Sequence, residues 1–182
     1  MLSRFGMSTT KALNTSAIVT DHLSAFAPQS EAEKLYMSHV PYASAMGSLM
    51  YVMVCTRPDI SYSVSVVSNF MSRPSKEHWK AVKRIFRYLR GTSDVGLIYG
   101  SNNQCLVIGY SDLDYAADIN GRRSMTGYVY TLGDFVVSWK ATLQSTVTLS
   151  TTDAEYMALT EETKEVGNSL IRLFLLGDTK AR

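Results

Sequence analysis

The hydrophobic pattern of this chain changes its period at Gly100. Upstream, past an aperiodic stretch over 1–40, the chain reads as helices, the clearest of which has its apolar residues three and four positions apart. Downstream they fall in short, partly alternating runs, the spacing of strands. Such a break restricts the chain to two modules of different class, a helical one followed by one that opens with a sheet. In the second module, residues 104–111 read as a strand through Leu106, Val107, Ile108 and Tyr110. Residues 126–132 read as a second strand, Gly133–Asp134 as a hairpin turn, and 135–140 as a third strand, with at most a short fourth over 146–149. Ser150–Thr151–Thr152–Asp153 has the form of a capping-box variant that opens a helix. That helix is expected to reach about Leu176 and to end at Gly177. Antiparallel strands followed by a packing helix define an α/β class.

In the first module, residues 1–40 show no sustained period and are expected to be loop, punctuated by Pro28 and Pro41. Tyr42 to Val54 reads as a helix with a small-residue face at Ala43, Ala45 and Gly47. Arg57–Pro58–Asp59 breaks it, and Pro58 suits the first turn of a second helix over about 59–71. The third helix, Ser75 to Arg90, is the clearest: Ser75 can cap it, Gly91 can close it, and Trp79, Val82, Phe86 and Leu89 make an apolar stripe. The same helix carries Lys76, Lys80, Lys83, Arg84, Arg87 and Arg90 against a single Glu77. Cations at this density repel one another, and they suit a phosphate backbone, which they neutralise without reading sequence. A solvated surface face is the competing reading.

Charge separates the halves. Residues 1–91 hold 11 Lys and Arg against 5 Asp and Glu, whereas residues 92–182 hold 7 against 11, so the overall charge of +2 conceals a basic half and an acidic half. Two cysteines, Cys55 and Cys105, make neither a disulfide framework nor a zinc site. The opening residues lack the apolar core of a secretory signal. The uncharged stretch between Lys34 and Arg57 includes Ser38, His39, Pro41, Ser44 and Ser48, so a buried core helix is expected rather than a membrane span. The expected location is intracellular, cytoplasmic or nuclear, and not secreted.

In the acidic half, Asp112 and Asp114 end a hydrophobic strand in IGYSDLDYAAD, Asp118 lies just beyond, and Glu155 falls in the first turns of the last helix. Carboxylates in such places are hard-oxygen ligands of the kind that hold Mg²⁺. Two such ions about 4 Å apart can clamp both oxygens of a phosphodiester exchange. Asp118 and Asp153 are equally well explained as a turn residue and a helix-start acid.

The run from GYSDLDYAADINGRRSMTGYVYTLGDFVVSWK through LSTTDAEYMALTEETKEV resembles the ribonuclease H segment of copia-type retrotransposon Pol polyproteins. The upstream run from YASAMGSLMYVMVCTRPDISYSV to GTSDVGLIY resembles the stretch that joins reverse transcriptase to that domain, and MLSRFGM resembles the tail of the polymerase part. The resemblance implies an irregular reverse-transcriptase tail over 1–40, a helical connection segment with a basic helix over 41–100, and the front of a ribonuclease H-like fold over 101–182. It further implies Mg²⁺ (or Mn²⁺) as cofactor, with Asp112 in Y-S-D and Glu155 in A-E-Y as metal-binding and catalytic carboxylates. Two more Asp ligands are expected past Arg182, so cleavage by this chain alone is expected to be weak or absent. The implied partners are an RNA–DNA hybrid or duplex nucleic acid and the remainder of the Pol polyprotein, with no membrane. The sequence departs from the family at Asp153, where Glu is common, after Trp139, where only Lys140 is basic, and at Gly167, which costs a helix about 1 kcal/mol.

Two alternatives stay open at this point. In one, the chain is a non-catalytic nucleic-acid-binding remnant that uses the 75–90 helix together with Arg122 and Arg123. In the other, Asp112-Leu-Asp114 after a hydrophobic strand resembles the first motif of haloacid-dehalogenase-type phosphatases, although Ala116 stands where that motif wants Thr or Val.

Overall fold

The computed structural model describes residues 1–16, 23, 30–100 and 106–178, with side chains as far as Gly167. It is a mixed α/β structure that divides into two compact units, Met1–Ile98 and Tyr99–Arg182. Pro28 and the strand start expected at Gln104 and Cys105 lie outside the described residues.

The first unit is helical. Helix α1, Glu31–Ser38, lies within the stretch expected to be loop. The local reason is a start signal in sequence: Ser30 Oγ accepts from Glu33 N–H, and Glu31 and Glu33 place negative charge in the first turn, where the helix dipole favours it. Helix α2, Tyr42–Cys55, buries Tyr42, Ala45, Met46 and Leu49. Of the small residues expected to share a face, Ala45 is buried while Ala43 and Gly47 are exposed. Among the described residues no helix is long and apolar enough to cross a membrane. Pro58–Ile60 forms one 3-10 turn, and helix α3, Ser61–Ser68, follows. The second expected helix is therefore split in two and shorter than 59–71. The Tyr42 hydroxyl donates to Val67 O at 2.8 Å and ties α2 to α3.

Helix α4, Lys76–Gly91, is closed at its start by a capping box. Ser75 Oγ accepts from His78 N–H, and Ser75 N–H donates to His78 Nδ1 at 2.8 Å. His78, Ala81, Val82, Ile85, Phe86 and Leu89 form the buried face. Trp79 is only half-buried, so the stripe is rotated from the expected one toward His78 and Ile85. The amino-terminal segment packs along this helix: Phe5 stacks on Phe86 with ring centroids 5.1 Å apart, and Leu13 N–H donates to Arg87 O.

At its other end, α4 is held by Arg57. The side chain is 7% exposed and forks onto Asp59, with Nε to Oδ1 at 2.9 Å and Nη2 to Oδ2 at 2.7 Å. Its remaining donors reach Thr92 O and Thr92 Oγ1, at the carboxyl end of α4. Tyr88 hydroxyl also donates to Asp59 Oδ2, at 2.7 Å. Burial alone would raise the Asp59 carboxyl, but the hydrogen bonds from Arg57 and Tyr88 outweigh it and hold that carboxyl below its usual range.

The second unit is a three-stranded antiparallel sheet, order β1-β2-β3, under one long helix. Three strands form where three were expected, β1 (Val107–Asp114), β2 (Met125–Leu132) and β3 (Phe135–Leu143), but β1 and β3 each run three residues past the expected end, which places Asp112 and Asp114 within β1. Asp112 pairs with Gly127 and Tyr128 with Lys140, and the β2–β3 register shifts at Tyr130/Thr131. Gly133 turns the β2–β3 hairpin at φ +59°. No strand forms over 146–149, where the described backbone is irregular. Thr148 is buried there, but the flanking Val147 and Leu149 are 52% and 93% exposed. Helix α5 runs Thr151–Asp178, continuous through Gly177, and Ser150 Oγ accepts from Asp153 N–H at its start.

Contacts fix α5 to the sheet. Ala154 and Ala158 are buried, the Tyr130 hydroxyl donates to Glu162 O at 2.7 Å, and Gln144 Nε2 donates to both Thr126 Oγ1 and Ala154 O. Burial, reinforced by the Glu165 charge, pushes the Tyr128 hydroxyl up to about 12. Gly109 on β1 stands beneath the helix: a Cβ there would meet Glu162 Oε1, which can swing away, and the Tyr130 ring at 2.7 Å, which its hydroxyl bond holds in place.

Two outcomes follow from this packing. Arg57→Met should destabilise the first unit by roughly 2 kcal/mol, under the 3–5 of a wholly buried pair because Asp59 stays 32% exposed. Because Asp59 titrates lower when folded than its unfolded ~3.9, the pair's contribution is full above that pH and is lost as pH falls below it. Denaturant titrations at pH 6 and pH 3 should therefore show a smaller acid loss in Asp59→Asn than in the parent chain, and an equal loss would contradict the role given to Asp59. Gly109→Ala should cost the second unit about 1–3 kcal/mol by overpacking, read as a lower melting temperature of the 107–167 region. An unchanged melting temperature would show that the Tyr130 ring gives way.

Candidate functional site

The cations of α4 occupy one side of it. At about 100° per residue, Lys76, Lys80, Lys83, Arg84, Arg87 and Arg90 fall within an arc of about 120°, opposite the buried residues. Lys76, Lys80, Lys83, Arg87 and Arg90 step by four and three in turn, which draws a nearly straight row about 21 Å long. Lys76 and Lys80 are exposed, and Lys83, Arg84, Arg87 and Arg90 are half-buried at their stems.

Some of these charges are already engaged. Lys80 Nζ lies 2.6 Å from Glu77 Oε1, but both side chains are more than half exposed, and such a surface pair contributes at most about 1 kcal/mol. Arg87 Nε donates to Lys11 O at 2.7 Å, which pins the amino-terminal segment. Lys76 Nζ lies 4.9 Å over the Tyr36 ring, and Lys76 N–H donates to Glu33 Oε1 at 3.0 Å. Lys83 and Arg90 make no ion pair among the described residues. Sequence alone does not bring Glu33 and Tyr36 to this helix, because residues 1–40 lack an apolar period. The Ser30–Glu33 start signal is the clue to them.

The carboxylates are arranged differently. Asp112 is exposed in β1, and its Oδ1 accepts from Leu113 N–H at 2.9 Å. Alternation along β1 sends Ile108, Tyr110, Asp112 and Asp114 to one face and Gly109 and Ser111 to the other, the face that α5 covers. Glu155 stands exposed on α5 beside the buried Ala154. The strand thus offers Asp112 on the face away from the helix that carries Glu155. Among the described residues, no three His, Cys, Asp or Glu side chains come together as a group able to hold a metal ion. The donor chemistry suits a hard divalent ion, but the described set falls short in number and placement.

Arg122 and Arg123 lie in the link between β1 and β2. Arg122 is exposed with φ +56°, and Arg123 pairs with Asp118 at 3.5 Å. Asp118 behaves as a turn residue: its Oδ1 accepts from Asn120 N–H and its carbonyl from Arg122 N–H. Asp153 is a helix-start acid whose backbone N–H donates to the Ser150 cap.

Comparison with known proteins bears on the family. No protein-family model matches the chain, and no solved structure matches it. The retrovirus-related Pol polyprotein from transposon TNT 1-94 of Nicotiana tabacum is 49% identical over 169 residues, which is 91% of this chain and 12% of that protein. The retrovirus-related Pol polyprotein from transposon RE1 of Arabidopsis thaliana is 36% identical over 166 residues, again 91% of this chain and 11% of that protein. Secreted RxLR effector protein 161 of Plasmopara viticola is 48% identical over 129 residues, 71% of this chain and 91% of that protein. The chain therefore spans about an eighth or less of the two Pol polyproteins and nearly the whole of the third relative. The chain belongs to the Pol polyprotein family of copia-type retrotransposons.

Proposed function

We propose that this segment of a copia-type Pol polyprotein holds nucleic acid, an RNA–DNA hybrid or duplex, through the cationic face of α4. The observation that carries this reading is the two-sidedness of that helix: six cations in one arc, with the opposite face buried. A helix kept in this state is stabilised by any polyanion laid along it. The row neutralises phosphates without reading bases, so it grips rather than selects. Arg122 and Arg123 add positive charge in the second unit. Under this reading residues 1–98 belong to the reverse-transcriptase side and 107–178 to the front of a ribonuclease H-like fold, with the remainder of Pol as partner.

Cleavage is the finer part of the proposal. In the intact family a divalent metal, Mg²⁺ or Mn²⁺, supplies the activation of water and the stabilisation of the leaving oxygen. Asp112 and Glu155 are the candidate ligands here. The described residues do not gather them with further carboxylates. That the chain covers 91% of a relative from Plasmopara viticola supports reading the segment as able to act apart from a full Pol polyprotein.

Two measurements test the proposal. Affinity for an RNA–DNA duplex should fall with salt, and Lys80→Gln, Lys83→Gln and Arg90→Gln together should flatten the log–log slope by about 2–3, at about 0.9 for each phosphate no longer neutralised. A slope that is the same in parent and triple variant would remove α4 from the interface. In a Mg²⁺ or Mn²⁺ cleavage assay, the chain by itself should cut the RNA strand weakly or not at all. Robust cutting abolished by Asp112→Asn or Glu155→Gln would show a working metal site instead.

A further inference from the structure

The link between β1 and β2 contains Asn120–Gly121, the one Asn-Gly step in the sequence. Both residues are exposed. The backbone around them is held by Asp118: Asn120 N–H donates to Asp118 Oδ1 at 3.2 Å and Arg122 N–H to Asp118 O at 2.6 Å. Gly121 N–H, between these two, has no hydrogen bond among the described residues. The Asp118 carboxyl lies against Gly121, with Cγ 3.3 Å from where a Cβ would stand, and it is the far end of a side chain that can move. The N–H of an exposed glycine, unpaired among the described residues and carrying no side chain to hinder the approach, is the nucleophile that succinimide formation needs.

We propose that Asn120–Gly121 is a spontaneous deamidation site. Hydroxide takes the Gly121 N–H proton, and the resulting nitrogen attacks Asn120 Cγ. The Cγ–Nδ2 bond breaks, ammonia leaves with a proton from water, and a five-membered succinimide closes. Water then opens the ring at either carbonyl, leaving an aspartyl or isoaspartyl residue at position 120. No oxidant or cofactor takes part. The product carries one more negative charge beside Arg122 and Arg123, and the isoaspartyl form inserts a methylene into the turn that Asp118 organises.

The full chain, incubated at pH 8.5 and at pH 6 and then digested with trypsin, provides the test. The 91–122 peptide should gain about 1 Da, faster at the higher pH, with fragment ions placing the gain at position 120 rather than at Asn102 or Asn103. An isoaspartyl methyltransferase should label the same position, and Asn120→Gln, which would need a six-membered ring, should abolish the gain there. The folded chain should react within about tenfold of the urea-unfolded chain, a barrier difference of at most about 1.4 kcal/mol. Conversion confined to Asn14, Asn69, Asn102, Asn103 or Asn168, or a folded rate below about a hundredth of the unfolded one, would overturn the assignment.

Discussion

Six cations within one arc of a single helix repel one another, and the rest of the first unit is arranged around keeping α4 folded despite that. Three devices do it. The opposite face buries six residues, of which Val82, Ile85 and Phe86 are fully sequestered. The Ser75–His78 capping box satisfies backbone donors at the start, and His78 lies stacked 4.0 Å from Phe70. At the far end Arg57 directs its donors to Asp59 and Thr92, so this buried guanidinium is neutralised within its own fork and adds nothing to the exposed positive field. Among the outward cations of α4, Lys80 and Arg87 are engaged within the fold, whereas Lys83 and Arg90 make no ion pair among the described residues.

The second unit is held together in another way. Among the described residues its sheet has three strands, and one face is covered by a helix that accepts the Tyr130 hydroxyl bond and draws Gln144 into a buried bridge between Thr126 and Ala154. The other face carries Tyr110, Asp112 and Asp114 and stays open to water.

Much of this is legible in the sequence. The period change at Gly100 separates helices from strands. Ser75 announces α4, Gly133–Asp134 the hairpin, and Ser150 the start of α5, because each signal is local and satisfies its own backbone groups. What stays hidden depends on distant partners. The start signal of α1 is present at Ser30–Glu33, yet eight residues without an apolar period do not register as a helix. Arg57 reads as a helix breaker beside Pro58, and its pairing with Thr92 spans 35 residues that no local pattern encodes. At the candidate site, the cationic face can be counted directly. The placement of Asp112 relative to α5 cannot, since a strand's two faces are told apart only when the covering element is known.

The two-faced character of α4 is tested most directly by footprinting its lysines with an acetylating reagent, with and without an RNA–DNA duplex. Protection of Lys80 and Lys83 by the duplex, with Lys140 on β3 and Lys164 on α5 unchanged, is the expected result. Equal protection of all four, or none at Lys80 and Lys83, would contradict the assignment of α4 as the surface that holds nucleic acid.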